Sequence, residues 1–201
     1  MKKPKNDTSP LRAEVVRGRL YLIRPEKLKE FRDILNKKKY RVADTDLTYR
    51  QINSLDGNNI LQDNRKEKRG WRKFSYKELI FISIIKELRA YGFIDERLEN
   101  LRDLFFKKSN LHDSDLAIIS AYSGTKTTLV IIMEDGGFTY DLVGFEIKPS
   151  ENRRSYISVN INKVIEELKK TTDELNINMD EMLTNSKNGS NINKNNQFKI
   201  K

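Results

Sequence analysis

The sequence contains no cysteine, one histidine, four prolines and one tryptophan. Without cysteine there are no disulfides and no thiolate metal sites, and the composition fits a reducing compartment. A single histidine, His112 in the polar run LHDSD, cannot build a histidine metal cluster and reads as a loop residue. No apolar run reaches the 18 residues that a transmembrane helix requires, and the basic start MKKPKNDTSP leads into no apolar signal segment. No metal, cofactor or membrane is therefore expected, and the cytoplasm is the expected location. Apolar surplus is also scarce, with mean hydropathy −0.72 and 34% charged residues. What remains is enough Leu, Ile, Val and Phe for one compact domain with appendages, or for two small ones.

Positive charge is abundant and unevenly placed. Residues 1–110 carry 28 Lys and Arg against 16 Asp and Glu, a net +12, whereas residues 111–201 carry 11 against 13, a net −2. A basic first half joined to a near-neutral second half points to an anion-binding module attached to something else.

Two helix starts share one grammar. LTYRQI places Thr48 at an N-cap, Gln51 three residues on, and Leu47 and Ile52 as a hydrophobic staple. FSYKEL repeats it with Ser75, Glu78, Phe74 and Leu79. Each reads as a capping box, in which hydroxyl and carboxamide or carboxylate satisfy backbone N–H groups that the helix leaves unpaired. Between the two lies LQDNRKEKRGWRK, six cations and two anions around Gly70.

Along the chain, residues 1–24 read as a charged tail and arm, with 13–23 a short hairpin or extended segment. Residues 25–108 read as helical. Pro25 suits the first helical position, and Leu28, Phe31, Ile34 and Leu35 share one face. A short helix should run from Thr48 to Asn58, with Gly57 near its end and Asn59 as a left-handed stop. A long apolar helix from Ser75 should end at Gly92, and Asp95 can cap a further helix carrying Leu98, Leu101, Leu104 and Phe105. Residues 111–175 read as a β-rich domain with runs at 116–124, 127–135, 139–147 and 155–161, followed by a helix over 162–175 bearing Val164, Ile165, Leu168 and Leu175. Residues 184–201 are an Asn-, Ser- and Lys-rich tail with too little apolar surface to fold. The fold class expected is α+β: an N-terminal α-helical winged helix-turn-helix domain, then a small antiparallel β domain with a C-terminal helix.

A helix that reads a DNA groove needs a polar face and a fixed N-terminus. Thr48, Tyr49, Arg50, Asn53 and Ser54 occupy that place; Arg can bridge guanine and Asn can pair with adenine, while Gln51 is engaged by its cap. Arg65, Lys66, Lys68, Arg69, Arg72 and Lys73 bracket Gly70-Trp71 and suit a turn that follows phosphates. The DNA-binding set expected is thus Thr48, Tyr49, Arg50, Asn53, Ser54, Arg65, Lys68, Arg69, Arg72 and Lys73, with Trp71 and Phe74 as core anchors of the turn.

These residues resemble the winged helix of the MerR type. Asn59-Ile60-Leu61 stands at the stop of the recognition helix. Gly70-Trp71-Arg72-Lys73-Phe74-Ser75 stands at the wing, and Leu88-Arg89-Ala90-Tyr91-Gly92 at the end of the following helix. The resemblance covers roughly residues 40–106. It implies that Tyr49, Arg50 and Asn53 lie in a DNA groove and that Arg72 with its neighbours forms the wing. The chain departs from the family at YRVADTD, too short for the usual first helix, and at Leu55 and Gly57, where an aromatic and a charged residue are usual. It departs again after Lys108, where β-rich sequence replaces the long dimerising helix.

The second half offers no catalytic constellation. Glu134 and Asp135 adjoin a glycine turn, and Ser120, Tyr122 and Ser123 lack a neighbouring base. The expected role is a non-enzymatic, sequence-specific transcriptional regulator, nucleoid-associated, with double-stranded DNA as partner. A homodimer and an effector or protein partner at the β domain are further expectations. The alternatives are an excisionase-like architectural factor or a protein–protein adaptor.

Overall fold

The computed structural model describes residues 12–16, 19–23, 25–63, 65, 70–94, 97–107, 114–134, 137–143, 156–172 and 183–184. The readings placed on Lys66, Lys68, Arg69, Asp95, His112, Asp135 and Leu175 lie outside the described residues, as does the tail beyond Thr184.

Strands β1 (Arg12–Val16) and β2 (Arg19–Ile23) form an antiparallel hairpin. Helices follow: α1 (Pro25–Asn36), a 3-10 turn (Val42–Thr45), α2 (Tyr49–Gly57), α3 (Tyr76–Ala90), α4 (Glu99–Phe106) and α5 (Ser114–Tyr122). Strands β3 (Thr128–Glu134), β4 (Gly137–Val143) and β5 (Tyr156–Asn160) lead into α6 (Ile161–Thr171), and β6 (Leu183–Thr184) closes the order. The molecule is α+β, with β1-β2-β6 and β4-β3-β5 as its two antiparallel sheets among the described residues. No helix among those residues is long and apolar enough to cross a membrane.

Helix α3 is the axis of the core. From Leu79 to Leu88 its apolar side chains are all buried, and within that span only Lys86 is exposed. It packs against α1, the 3-10 turn and α6. The helix ends in a Schellman motif: Gly92 takes φ 83°, its N–H donates to Arg89 O at 3.0 Å, and Phe93 N–H donates to Leu88 O at 3.1 Å.

The run at 116–124, read as a strand, is helix α5. Its side chains from Leu116 to Ala121 are all buried, so the segment is apolar all round and periodicity cannot separate a buried helix from a buried strand. The deciding signal is at its end. Gly124 takes φ 80° and donates to Ala121 O at 3.1 Å, and Thr125 N–H donates to Ser120 O at 3.0 Å, a second Schellman stop. Asp115 then ties α5 to the first half, accepting from Lys77 at 2.6 Å and Arg32 at 3.1 Å.

Helices stand on both sides of the boundary drawn near residue 110, with strands beginning only at Thr128, and the packing continues across it. One buried cluster holds Phe31 and Leu35 of α1, Ile80 and Ile84 of α3, Leu129 of β3 and Val164 of α6. Asn162 fastens this junction: its Oδ1 accepts from Thr127 N–H at 2.7 Å, and its Nδ2 donates to Ala121 O at 3.0 Å and Thr125 O at 2.9 Å. Tyr140 of β4 donates its hydroxyl to Arg97 O, and burial pushes its pKa up to about 12. Thr184, assigned to the tail, pairs with Leu22 of β2.

Candidate nucleic-acid interface

The 3-10 turn (Val42–Thr45) leads through Asp46, at φ 53°, into α2. The box at its second helix forms as expected. Thr48 Oγ1 accepts from Gln51 N–H at 3.3 Å, and Gln51 Oε1 accepts from Thr48 N–H at 2.8 Å. Ile52 and Leu55 are fully buried and lock α2 onto the core. Asn59 takes φ 57° and donates to Asp56 O at 3.0 Å, while Ile60 N–H donates to Leu55 O at 2.9 Å; α2 therefore stops after nine residues.

With Ile52 and Leu55 inward, the opposite face is set by the helical turn. At about 100° per residue, Tyr49, Asn53, Gly57, Arg50 and Ser54 fall in that order within about 140°, and all five are exposed. A Cβ at Gly57 would meet nothing within 4 Å, so the face is open at that position. Arg50 and Asn53 make no ion pair or hydrogen bond among the described residues and remain available to a partner.

The basic turn is built differently from expectation. Tyr40 and Phe74 form an antiparallel bridge, with Phe74 N–H donating to Tyr40 O at 2.8 Å and Tyr40 N–H to Phe74 O at 3.0 Å. That bridge anchors the segment leading into α3. Along 71–74 the side chains alternate out, in, out, in, as in an extended strand. Phe74 is buried, as expected, so Arg72 points inward with it. Arg72 is 5% exposed, donates to Asp56 of α2 and to Gln62 O (3.2 Å), and its guanidinium lies 4.9 Å from the Phe74 ring centroid. It braces α2 to the turn, with its guanidinium engaged internally.

Arg65 is also occupied. It grips Asp63 with two nitrogens, at 2.9 and 2.6 Å, and donates Nη1 to Gly70 O at 2.6 Å, so it links Asp63 to Gly70. That hydrogen bonding holds the Asp63 carboxyl well below the usual carboxylate range, against the opposing effect of burial, and raises the pKa of Arg65 in turn. Lys73, on the outward side of the alternation, is exposed and makes no ion pair among the described residues.

Trp71 corrects the expectation of a core anchor: it is 79% exposed, the most exposed of the large apolar side chains among the described residues. Its ring lies 6.4 Å from that of Tyr49, itself 49% exposed, at an interplanar angle of 54°. The structure thus brings Tyr49, Arg50, Asn53 and Ser54 onto one open face and sets Trp71 beside it. It withdraws Arg72 and commits Arg65 and Thr48 to internal bonds. The outward Trp71 could have been read from the alternation, since Phe74 in the staple fixes the phase of the residues before it.

Comparison of the chain with family models, with curated proteins and with solved structures finds no match in any of the three.

Proposed function

We propose that the protein binds double-stranded DNA as a transcriptional regulator, with a winged helix-turn-helix of MerR-like type over residues 40–106. The observation that carries this reading is the exposed face of α2, where Arg50 and Asn53 stand without side-chain partners among the described residues, next to a basic segment whose flanks Arg65 and Gly70 are hydrogen-bonded. Arg and Asn are the side chains suited to guanine and adenine edges in the major groove. The cations of the turn supply contacts to phosphates, which position the protein without reading sequence. A nucleoid location follows from such a partner. A second copy, and a ligand or protein at the β4-β3-β5 sheet, would complete the regulator.

Gel shifts against genomic fragments test the reading. Saturable binding with preference among fragments supports a sequence-specific regulator; binding without preference supports an architectural role in bending DNA. No binding at low salt sinks both, leaving a protein–protein adaptor. Arg50→Ala should cost about 1–3 kcal/mol on preferred sites only. Lys73→Ala should weaken every sequence alike and lower the salt slope by about one; identical behaviour of the two variants would contradict the division of labour.

A further inference from the structure

Trp71 is exposed for a reason that its surroundings supply. Roughly 150–250 Å² of aromatic surface usually goes into a core, yet here the inward positions are taken by Arg72 and Phe74, stacked on one another. The inward space beside Trp71 is occupied by Arg72 and its part-buried ion pair with Asp56. Trp71 is not a loose tip. Gly70, at φ 81°, is held through its carbonyl by Arg65, and Tyr49 supports the indole from the start of α2. The result is a fixed, outward aromatic pair. Arg50 follows Tyr49 in sequence and Lys73 lies on the same side of the extended segment as Trp71, so exposed cations flank both rings. Flat apolar rings flanked by positive charge complement a ligand that is itself flat and carries phosphates.

We infer that Trp71 and Tyr49 form a stacking site for a nucleobase that has left the duplex stack, an inference that rests on the DNA reading above. Stacking is indifferent to base identity, because every base presents a π-face, so the site recognises distortion of the duplex while α2 contacts base edges. Loss of such a stack by alanine substitution weakens binding roughly tenfold.

The chain has one tryptophan, so its fluorescence reports on this site without a label. The full-length protein is titrated with a short duplex carrying one bulged nucleotide, with the fully paired duplex, and with heparin, a polyanion without bases. The bulged duplex should bind about tenfold more tightly than the paired one and quench the tryptophan, whereas heparin should bind with little quenching. Trp71→Phe should keep the preference for the bulge, measured by fluorescence anisotropy of labelled DNA, and Trp71→Ala should abolish it. Equal affinity for bulged and paired duplex, or equal quenching by heparin, would overturn the stacking site while leaving DNA binding intact. Absence of binding to either duplex at low salt would overturn both.

Discussion

Helices α2 and α3 begin with the same capping box and end with the same type of Schellman stop, yet they occupy opposite surroundings. At α2 the box is exposed, and the helix buries only Ile52 and Leu55. At α3 the box is buried, Glu78 also takes an ion pair from Lys38, and ten side chains of the helix are buried. Local hydrogen bonding sets where a helix starts and stops, and the apolar pattern between those points decides whether it becomes framework or surface. Framework and surface meet in four consecutive residues, Trp71 to Phe74, where neighbours differ in exposure from 79% to none.

That contrast is open to direct tests. The largest effect belongs to the aromatic pair at its centre: Phe74→Ala should destabilise the fold by about 3–5 kcal/mol, while Trp71→Ala should change stability by no more than about 0.5 kcal/mol. Denaturant unfolding of both variants measures this, and comparable losses would show that Trp71 belongs to the core. Next comes the brace between the two regions. Arg72→Ala leaves Asp56 without its cation and should cost about 3 kcal/mol; under the proposed DNA reading any affinity falls with it through loosening of α2, and a fully stable variant with weakened DNA binding would make Arg72 a phosphate ligand. The boxes themselves should separate by burial. Ser75→Ala is expected to cost about 2 kcal/mol and Thr48→Ala about 0.5–1 kcal/mol, and equal melting shifts would remove burial as the explanation.

The smallest effect is local and set by pH. Asp63 has a folded pKa below its ordinary 3.8, so its contribution is fully present above that value and is lost as pH falls below it. Amide exchange should therefore quicken around Gly70 in acid before it does in α3. Asp63→Asn should remove that pH dependence; uniform loosening of α2 and α3 would place the clamp within the core.

Much of the helical half was legible in the residues. Thr48, Ser75, Asn59 and Gly92 each do what their local chemistry predicts, because caps and left-handed stops depend on a few neighbouring atoms. Strands β3 and β5 and the helix after them were legible for the same kind of reason, through turn residues and period. Helix α5 was not, since Leu-Ala-Ile-Ile is apolar on every side and only its tertiary neighbours select the helix. Within the candidate site, the α2 face followed from helical periodicity, whereas Arg65 and Arg72 did not. A guanidinium looks the same in sequence whether it meets phosphate or carboxylate, and its choice depends on Asp63 and Asp56 being folded against it.

Under the proposed DNA reading, the left-handed turn at Asn59 limits how much information a single copy can extract. Nine helical residues extend about 14 Å, the length of about four stacked base pairs, and a four-base word recurs by chance roughly once in 256 positions. Under the DNA reading, one copy of α2 cannot specify a unique address in a genome. The missing information must come from elsewhere: a second α2 at a fixed spacing, or a feature of the duplex other than its letters.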